Sequence, residues 1–265
     1  MSRFIERSRI RLWSTAVLAG LLALVLVPST ASAESRQADS GENGFIVGGD
    51  ISHERYQFLA AVLYADSDGR LVQGCGAALV TDQWLVTAAH CLGGITAVRL
   101  GSNDRTSGGA VVPVEREVSH PLYHQYTSAN DIAMLKLAYP VDFASVAIAA
   151  NEPAAGTDVR LLGWGQTCPV KKCDRGSDDL KQLDTSIADD AHCGGMNPDE
   201  LCTRSRPDAT ACYGDSGGPA VIDRGGWWLL VGVTSRGSQS CGDSGTVYSS
   251  VTGHYDWMDQ VVSWY

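Results

Sequence analysis

From Phe58 onward the apolar residues come in short runs, each cut by Gly, Asp, Asn or Ser before a long helix could form. The runs are Phe58 to Tyr64, Trp84 to Thr87, Ala97 to Leu100, Ala110 to Val114, Met134 to Leu137, Val159 to Leu162, Trp227 to Val233 and Thr246 to Val251. Segments of this length between turn-forming residues favour strands, and a long succession of them predicts an all-β barrel or sandwich. Only Gly253 to Tyr265 has helical spacing, with Tyr255, Met258, Val261 and Val262 toward one side. The Ala-rich stretch Phe143 to Gly156, which carries Pro153, predicts a crossover between two halves of the fold.

The N-terminus has a different character. Arg3, Arg7, Arg9 and Arg11 precede an apolar run of 12 residues, Ala16 to Val27, and Ala31-Ser32-Ala33 offers a small-residue cleavage site. That pattern predicts a secretory signal peptide over residues 1–33. A membrane anchor would need about 20 apolar residues, more than this run supplies. Residues 34–45 are polar and aperiodic, which predicts a short pro-segment ahead of a domain over 46–265.

Eight cysteines in an exported chain predict disulfides, although spacing alone leaves their pairing open. Zinc is the weaker reading, because no Cys-x2-Cys or His-x3-His pair lies near another such pair. No acidic loop has calcium-ligand spacing either, so neither a metal nor another cofactor is expected. Residues 46–265 carry 15 Lys and Arg against 26 Asp and Glu, a net charge of −11. Such a surface suits solubility and argues against binding nucleic acid or an anionic membrane.

Three fragments carry chemistry: Thr87-Ala88-Ala89-His90-Cys91, Asn130-Asp131-Ile132-Ala133-Met134-Leu135-Lys136-Leu137 and Gly214-Asp215-Ser216-Gly217-Gly218-Pro219. A serine hydroxyl needs a base to take its proton, and the base needs a third group to fix its tautomer. Each fragment has a bland reading, as a turn, a core histidine or a strand-edge carboxylate. Together, in the order His, Asp, Ser, they resemble the trypsin and chymotrypsin family from about Ile46 to Tyr265.

That resemblance implies two six-stranded antiparallel β-barrels, over about 46–150 and 151–265, with a short C-terminal helix. It implies a secreted serine endopeptidase that cleaves proteins or peptides through an acyl-enzyme. His90, Asp131 and Ser216 would be catalytic, and Ser235 would support the aspartate. The backbone N–H groups of Gly214 and Ser216 would form an oxyanion hole. Gly217 and Gly218 would let the chain turn under the serine. Cleavage before Ile46, in Ile46-Val47-Gly48-Gly49, would free an ammonium to pair with Asp215, so the full chain would be a zymogen. Phe45 stands where trypsin-activated relatives carry Lys or Arg, which argues against a trypsin-like activating protease. A monomer is expected.

By the same resemblance Cys75 pairs with Cys91, Cys193 with Cys202 and Cys212 with Cys241; Cys168 and Cys173 match no family cysteine and are left to each other. Thr210 replaces the pocket aspartate that captures Lys or Arg in trypsin-like members. Gly237 would leave the pocket mouth open, and Thr246, as in elastase-like members, would reduce its depth. The implied preference is for small or medium apolar residues. Arg236 stands where an aromatic residue is usual and would either favour acidic residues upstream of the cut or point to solvent.

Two rival classes remain at this level. Gly214-x-Ser216-x-Gly218 also fits an α/β-hydrolase esterase, with Asp243 and His254 as formal partners, but that fold needs long helices between strands. The other rival is a catalytically silent binding protein on a protease scaffold.

Overall fold

The computed structural model describes residues 46–265; the expected signal peptide and pro-segment lie outside the described residues. A short strand, β1 (Asp50–Ile51), leads into six strands: β2 (Leu59–Ala65), β3 (Leu71–Leu79), β4 (Trp84–Thr87), β5 (Ile95–Leu100), β6 (Ala110–Ser119) and β7 (Ala133–Leu137). These close into a barrel in the order β2-β3-β4-β7-β6-β5 through antiparallel pairings. Next comes β8 (Ala147–Ile148), followed by β9 (Asp158–Gly163), β10 (Lys181–Ala188), β11 (Glu200–Thr203), β12 (Pro219–Asp223), β13 (Trp228–Arg236) and β14 (Thr246–Ser250). The last six run β10-β11-β14-β13-β12-β9, and the β9–β10 pairing closes a second barrel. A single helix, α1 (Tyr255–Trp264), follows β14. The molecule is all-β with two six-stranded antiparallel barrels, which removes the α/β-hydrolase alternative.

Most positions of β12, β13 and β14 are covered on both sides, which explains why stretches such as Trp227 to Val233 read as continuous apolar runs. In β12, Ala220 and Ile222 join a cluster with Val159, Leu161 and Val231, while Val221 between them joins the cluster built mainly by the first barrel. Successive side chains leave a strand on opposite faces, so one run serves the barrel interior and the seam between barrels. Leu162, Val221 and Val233 therefore share one core with Leu79, Val86 and Leu135. Each fully buried aliphatic side chain of this kind contributes about 1.5–3 kcal/mol. That shared core holds the two halves of the site in fixed register.

The stretch from Phe143 to Gly156 passes between the barrels. Val146 N–H donates to Leu79 O of the first, Ala149 N–H donates to Leu230 O of the second, and β8 lies parallel to β13. In α1, Met258 and Val261 are buried as the spacing predicts, whereas Tyr255 stays half-exposed. Six strands escape the apolar-run reading: β3, β10, β11, β12 and the two-residue β1 and β8. Gln73, Gly74 and Gly76 interrupt β3, and β10 reads Lys-Gln-Leu-Asp-Thr-Ser-Ile-Ala, with few apolar positions. Four disulfides join Cys75 to Cys91, Cys168 to Cys173, Cys193 to Cys202 and Cys212 to Cys241.

Candidate active site

His90 follows β4 in a short 3-10 turn, and Asp131 lies just before β7. Because β4 and β7 are paired, with Thr87 opposite Ala133, the two residues emerge from one edge of the first barrel. Asp131 is buried and its carboxylate is fully engaged. Oδ1 accepts the backbone N–H of His90 at 2.9 Å, and Oδ2 lies 2.7 Å from His90 Nδ1. The second barrel adds the Ser235 hydroxyl, which donates to Oδ2 at 2.7 Å, and the Ser249 hydroxyl, which donates to Asp131 O at 2.8 Å. A carboxylate oxygen that faces the ring fixes the proton on Nδ1 and leaves Nε2 as the basic lone pair. The imidazole remains one-third exposed, so that lone pair is open to a substrate.

Ser216 comes from the second barrel, in the turn before β12. The first barrel grips this turn directly: Gly76 N–H donates to Ser216 O at 2.8 Å. Gly217, at φ +71°, lies so close to the histidine segment that a Cβ there would overlap Thr87 Oγ1 and sit 3.0 Å from Ala88 N. Glycine is required at that point. No hydrogen bond joins the Ser216 hydroxyl to His90 in this geometry; such bonds are often loose without substrate.

In the turn from Gly214 to Gly218, the N–H groups of Asp215, Gly217 and Gly218 donate to Cys212 O, Thr234 O and Asp215 O. Among the described residues, the N–H groups of Gly214 and Ser216 have no acceptor. Two free donors flanking a serine can hold an oxyanion, and each such donor is worth about 3 kcal/mol in a transition state.

Asp215 points the other way, into the protein. Its carboxyl is buried and accepts Gly165 N–H at 2.8 Å and Cys212 N–H at 2.9 Å. Burial pushes its pKa up to about 6, and the two N–H groups offset only part of that desolvation. No cation pairs with it among the described residues. Ile46 is buried in the second-barrel core with Ala211, and Val47 O accepts Thr210 N–H at 2.9 Å. Ile46 also has φ +47°, a strained conformation for a β-branched residue.

Beside Ser216 lies a cavity of about 240 Å³, lined by Cys212, Thr234, Arg236, Gly237, Cys241 and Thr246 among others. Beneath it, three buried hydroxyls satisfy one another. Thr210 Oγ1 lies 3.0 Å from Ser205 Oγ and 3.1 Å from Thr246 Oγ1, and Ser205 and Thr246 are 3.1 Å apart. Ser205 carries no motif, and only the fold reveals it. A larger cavity of about 590 Å³, lined by Arg160, Asp184, Arg204 and Trp228, lies elsewhere on the second barrel and touches none of the candidate catalytic residues.

Arg236 has an acidic partner that the sequence does not announce. Its guanidinium forms a two-pronged pair with Glu200, at 2.5 and 2.8 Å, and also donates to Gly195 O at 3.1 Å. Glu200 is itself buried and held by Asn197. The guanidinium is thus paired by β11, while Arg236 also lines the cavity with a quarter of its side chain exposed. A lone Arg in an otherwise buried strand demands an acid, but nothing in the sequence marks Glu200. The formal esterase partners are apart from this chemistry: Asp243 is exposed, and His254 is buried between Ser250 O and Asn130.

Two β-barrels meeting at a carboxylate-oriented histidine define the class, a serine endopeptidase. A family model described as Trypsin matches residues 46–258. A Trypsin of Phaedon cochleariae is 31% identical over 261 residues, covering 90% of this chain and 96% of its own. A Trypsin of Sarcophaga bullata is 32% identical over 217 residues, covering 68% and 84%. The chain belongs to the trypsin family. It is a hydrolase that acts on protein or peptide substrates.

Proposed function

We propose that the chain is exported as a zymogen, with a signal peptide over 1–33 and a pro-segment over 34–45, and matures by cleavage before Ile46. The matured enzyme, a monomer, then cleaves after small or medium apolar residues through an acyl-enzyme on Ser216. The observation that carries the catalytic part is the short link from Asp131 to His90 Nδ1. It assigns Nε2 to take the Ser216 proton as Oγ attacks the scissile carbonyl. The Gly214 and Ser216 N–H groups receive the negative oxygen, and the imidazolium returns its proton to the leaving amine. Water then repeats the sequence against the acyl-enzyme, with His90 again as base.

Strain supports the maturation step. Cutting the 45–46 bond releases Ile46 from the positive φ that the intact peptide imposes, and creates an ammonium that Asp215, with no cation partner among the described residues, could pair with. Phe45 precedes the cut, so the activating protease would accept an aromatic residue there.

Specificity follows from the pocket floor. A Lys or Arg side chain entering it would meet no carboxylate and would bury its charge unpaired. An apolar side chain leaves no polar group stranded, because the three hydroxyls already satisfy one another. At position 237 an added Cβ would find only Thr246 Oγ1, at 3.8 Å, so the mouth is open. Matured enzyme profiled on a peptide library should cut after Ala, Val and similar residues, with modest discrimination of about 10–200-fold among apolar side chains. A dominant cut after Arg or Lys would overturn the specificity, and loss-free activity in Ser216→Ala would overturn the mechanism.

A further inference from the structure

Gly214 has no side chain to hold it, yet its N–H must be aimed correctly before substrate arrives. At φ +97° it occupies a conformation that glycine adopts freely and leaves as freely. Both peptide groups around it are pinned by their carbonyls. Tyr213 O accepts Gln166 N–H at 2.7 Å, and this turns the Gly214 N–H of the same peptide plane to the opposite side. Gly214 O accepts Gln73 Nε2 at 3.0 Å. Gln73 lies on β3 of the first barrel, and its second amide hydrogen goes to Cys75 O at 3.1 Å.

The orientation of that amide is itself dictated. Arg105 Nη1 donates to Gln73 Oε1 at 3.0 Å, and a guanidinium has only donors, so the oxygen must face it and the NH₂ must face Gly214. Arg105 is in turn immobilised. It bonds Asp178 Oδ1 twice at 3.1 Å and Arg175 O at 2.9 Å, with longer contacts to Gly176 O and Trp164 O. Only about a tenth of its side chain is exposed.

We propose that Gln73, locked by Arg105, is a positioning residue that presets the oxyanion hole by fixing the carbonyl side of Gly214, while Gln166 holds the Tyr213–Gly214 peptide that carries the N–H. This deepens the catalytic reading above and rests on it. Gln73 does not line the cavity beside Ser216 and makes no hydrogen bond to that serine. Its effect is confined to the state in which negative charge develops, since that is when the Gly214 N–H is used.

The test uses the matured enzyme with two variants, Gln73→Met, which keeps the length but cannot donate, and Gln73→Glu, which keeps the partner of Arg105 and sets a carboxylate against Gly214 O. Rates are taken per active site after burst titration, so that misfolded molecules do not count. For both variants kcat should fall about tenfold or more, with KM within about twofold. Affinity for a peptide aldehyde, whose adduct places an oxyanion in the hole, should weaken in step, while a cleaved product peptide binds as before. Unchanged kcat and aldehyde affinity in properly folded variants would overturn the proposal, even if the melting temperature dropped. Ser216→Ala runs in parallel: were it fully active, the catalytic reading itself would fail, a result distinct from normal Gln73 variants beside an inert Ser216→Ala.

Discussion

Asp131 and Asp215 show how one residue type is turned to two uses by its surroundings. Asp131 is surrounded by donors from both barrels and serves as a fixed anion beside His90. Among the described residues Asp215 has two backbone donors and no cation partner, and burial raises its pKa to about 6. A raised carboxyl pKa favours the protonated native state. The unfolded chain releases this proton near pH 3.8, so in the uncleaved protein the stabilising contribution is complete below that value. It is lost as pH rises through about 6, to a total of roughly 3 kcal/mol. Urea unfolding of the uncleaved chain and of Asp215→Asn should therefore agree near pH 4 and diverge by pH 7, with the variant the more stable. In the matured enzyme the sign should reverse, because the ammonium of Ile46 then needs the carboxylate. Parallel pH profiles for the two uncleaved proteins would contradict this.

At the scale of elements, β13 and β14 supply Thr234, Ser235, Arg236 and Thr246 to the cavity beside Ser216, and the fold brings Thr246 Oγ1 within 3.1 Å of Thr210 Oγ1. Thr246→Gly should deepen the cavity and shift cleavage toward larger apolar residues, Leu or Phe over Ala, by about 1–3 kcal/mol in kcat/KM. A peptide-library profile identical to that of the parent would show that depth does not set the preference. The same elements mark how far the sequence could be read. Apolar runs reveal β2, β4, β5, β6, β7, β9, β13 and β14, because burial on one or both faces leaves a visible pattern. β10 and β11 are held by barrel closure rather than by their own composition, so Lys181 and Glu200 sit in strands that look like loops. Motif fragments expose His90, Asp131 and Ser216, whose chemistry restricts their neighbours. Ser205, Glu200, Gln73 and Arg105 leave no such trace: their partners lie up to 141 residues away along the chain, and only folding brings them together.

At the scale of the whole molecule, neither barrel is complete alone. The first supplies the imidazole and its carboxylate, and also Gln73 and Gly76, which hold the serine turn from outside. The second supplies the serine, the free N–H pair, the pocket, and the Ser235 hydroxyl that reaches back to Asp131. The shared core along the seam keeps these parts in register, which is why a hydroxyl on one barrel can be served by a base on the other. The most direct measurement is stoichiometric labelling of the matured protein with a serine-directed phosphonylating reagent, followed by mass spectrometry. The geometry predicts one adduct per chain, located on Ser216, absent in Ser216→Ala and slowed by at least about a thousandfold in His90→Ala. Labelling at the parent rate in either variant would contradict a Ser216 nucleophile activated by His90.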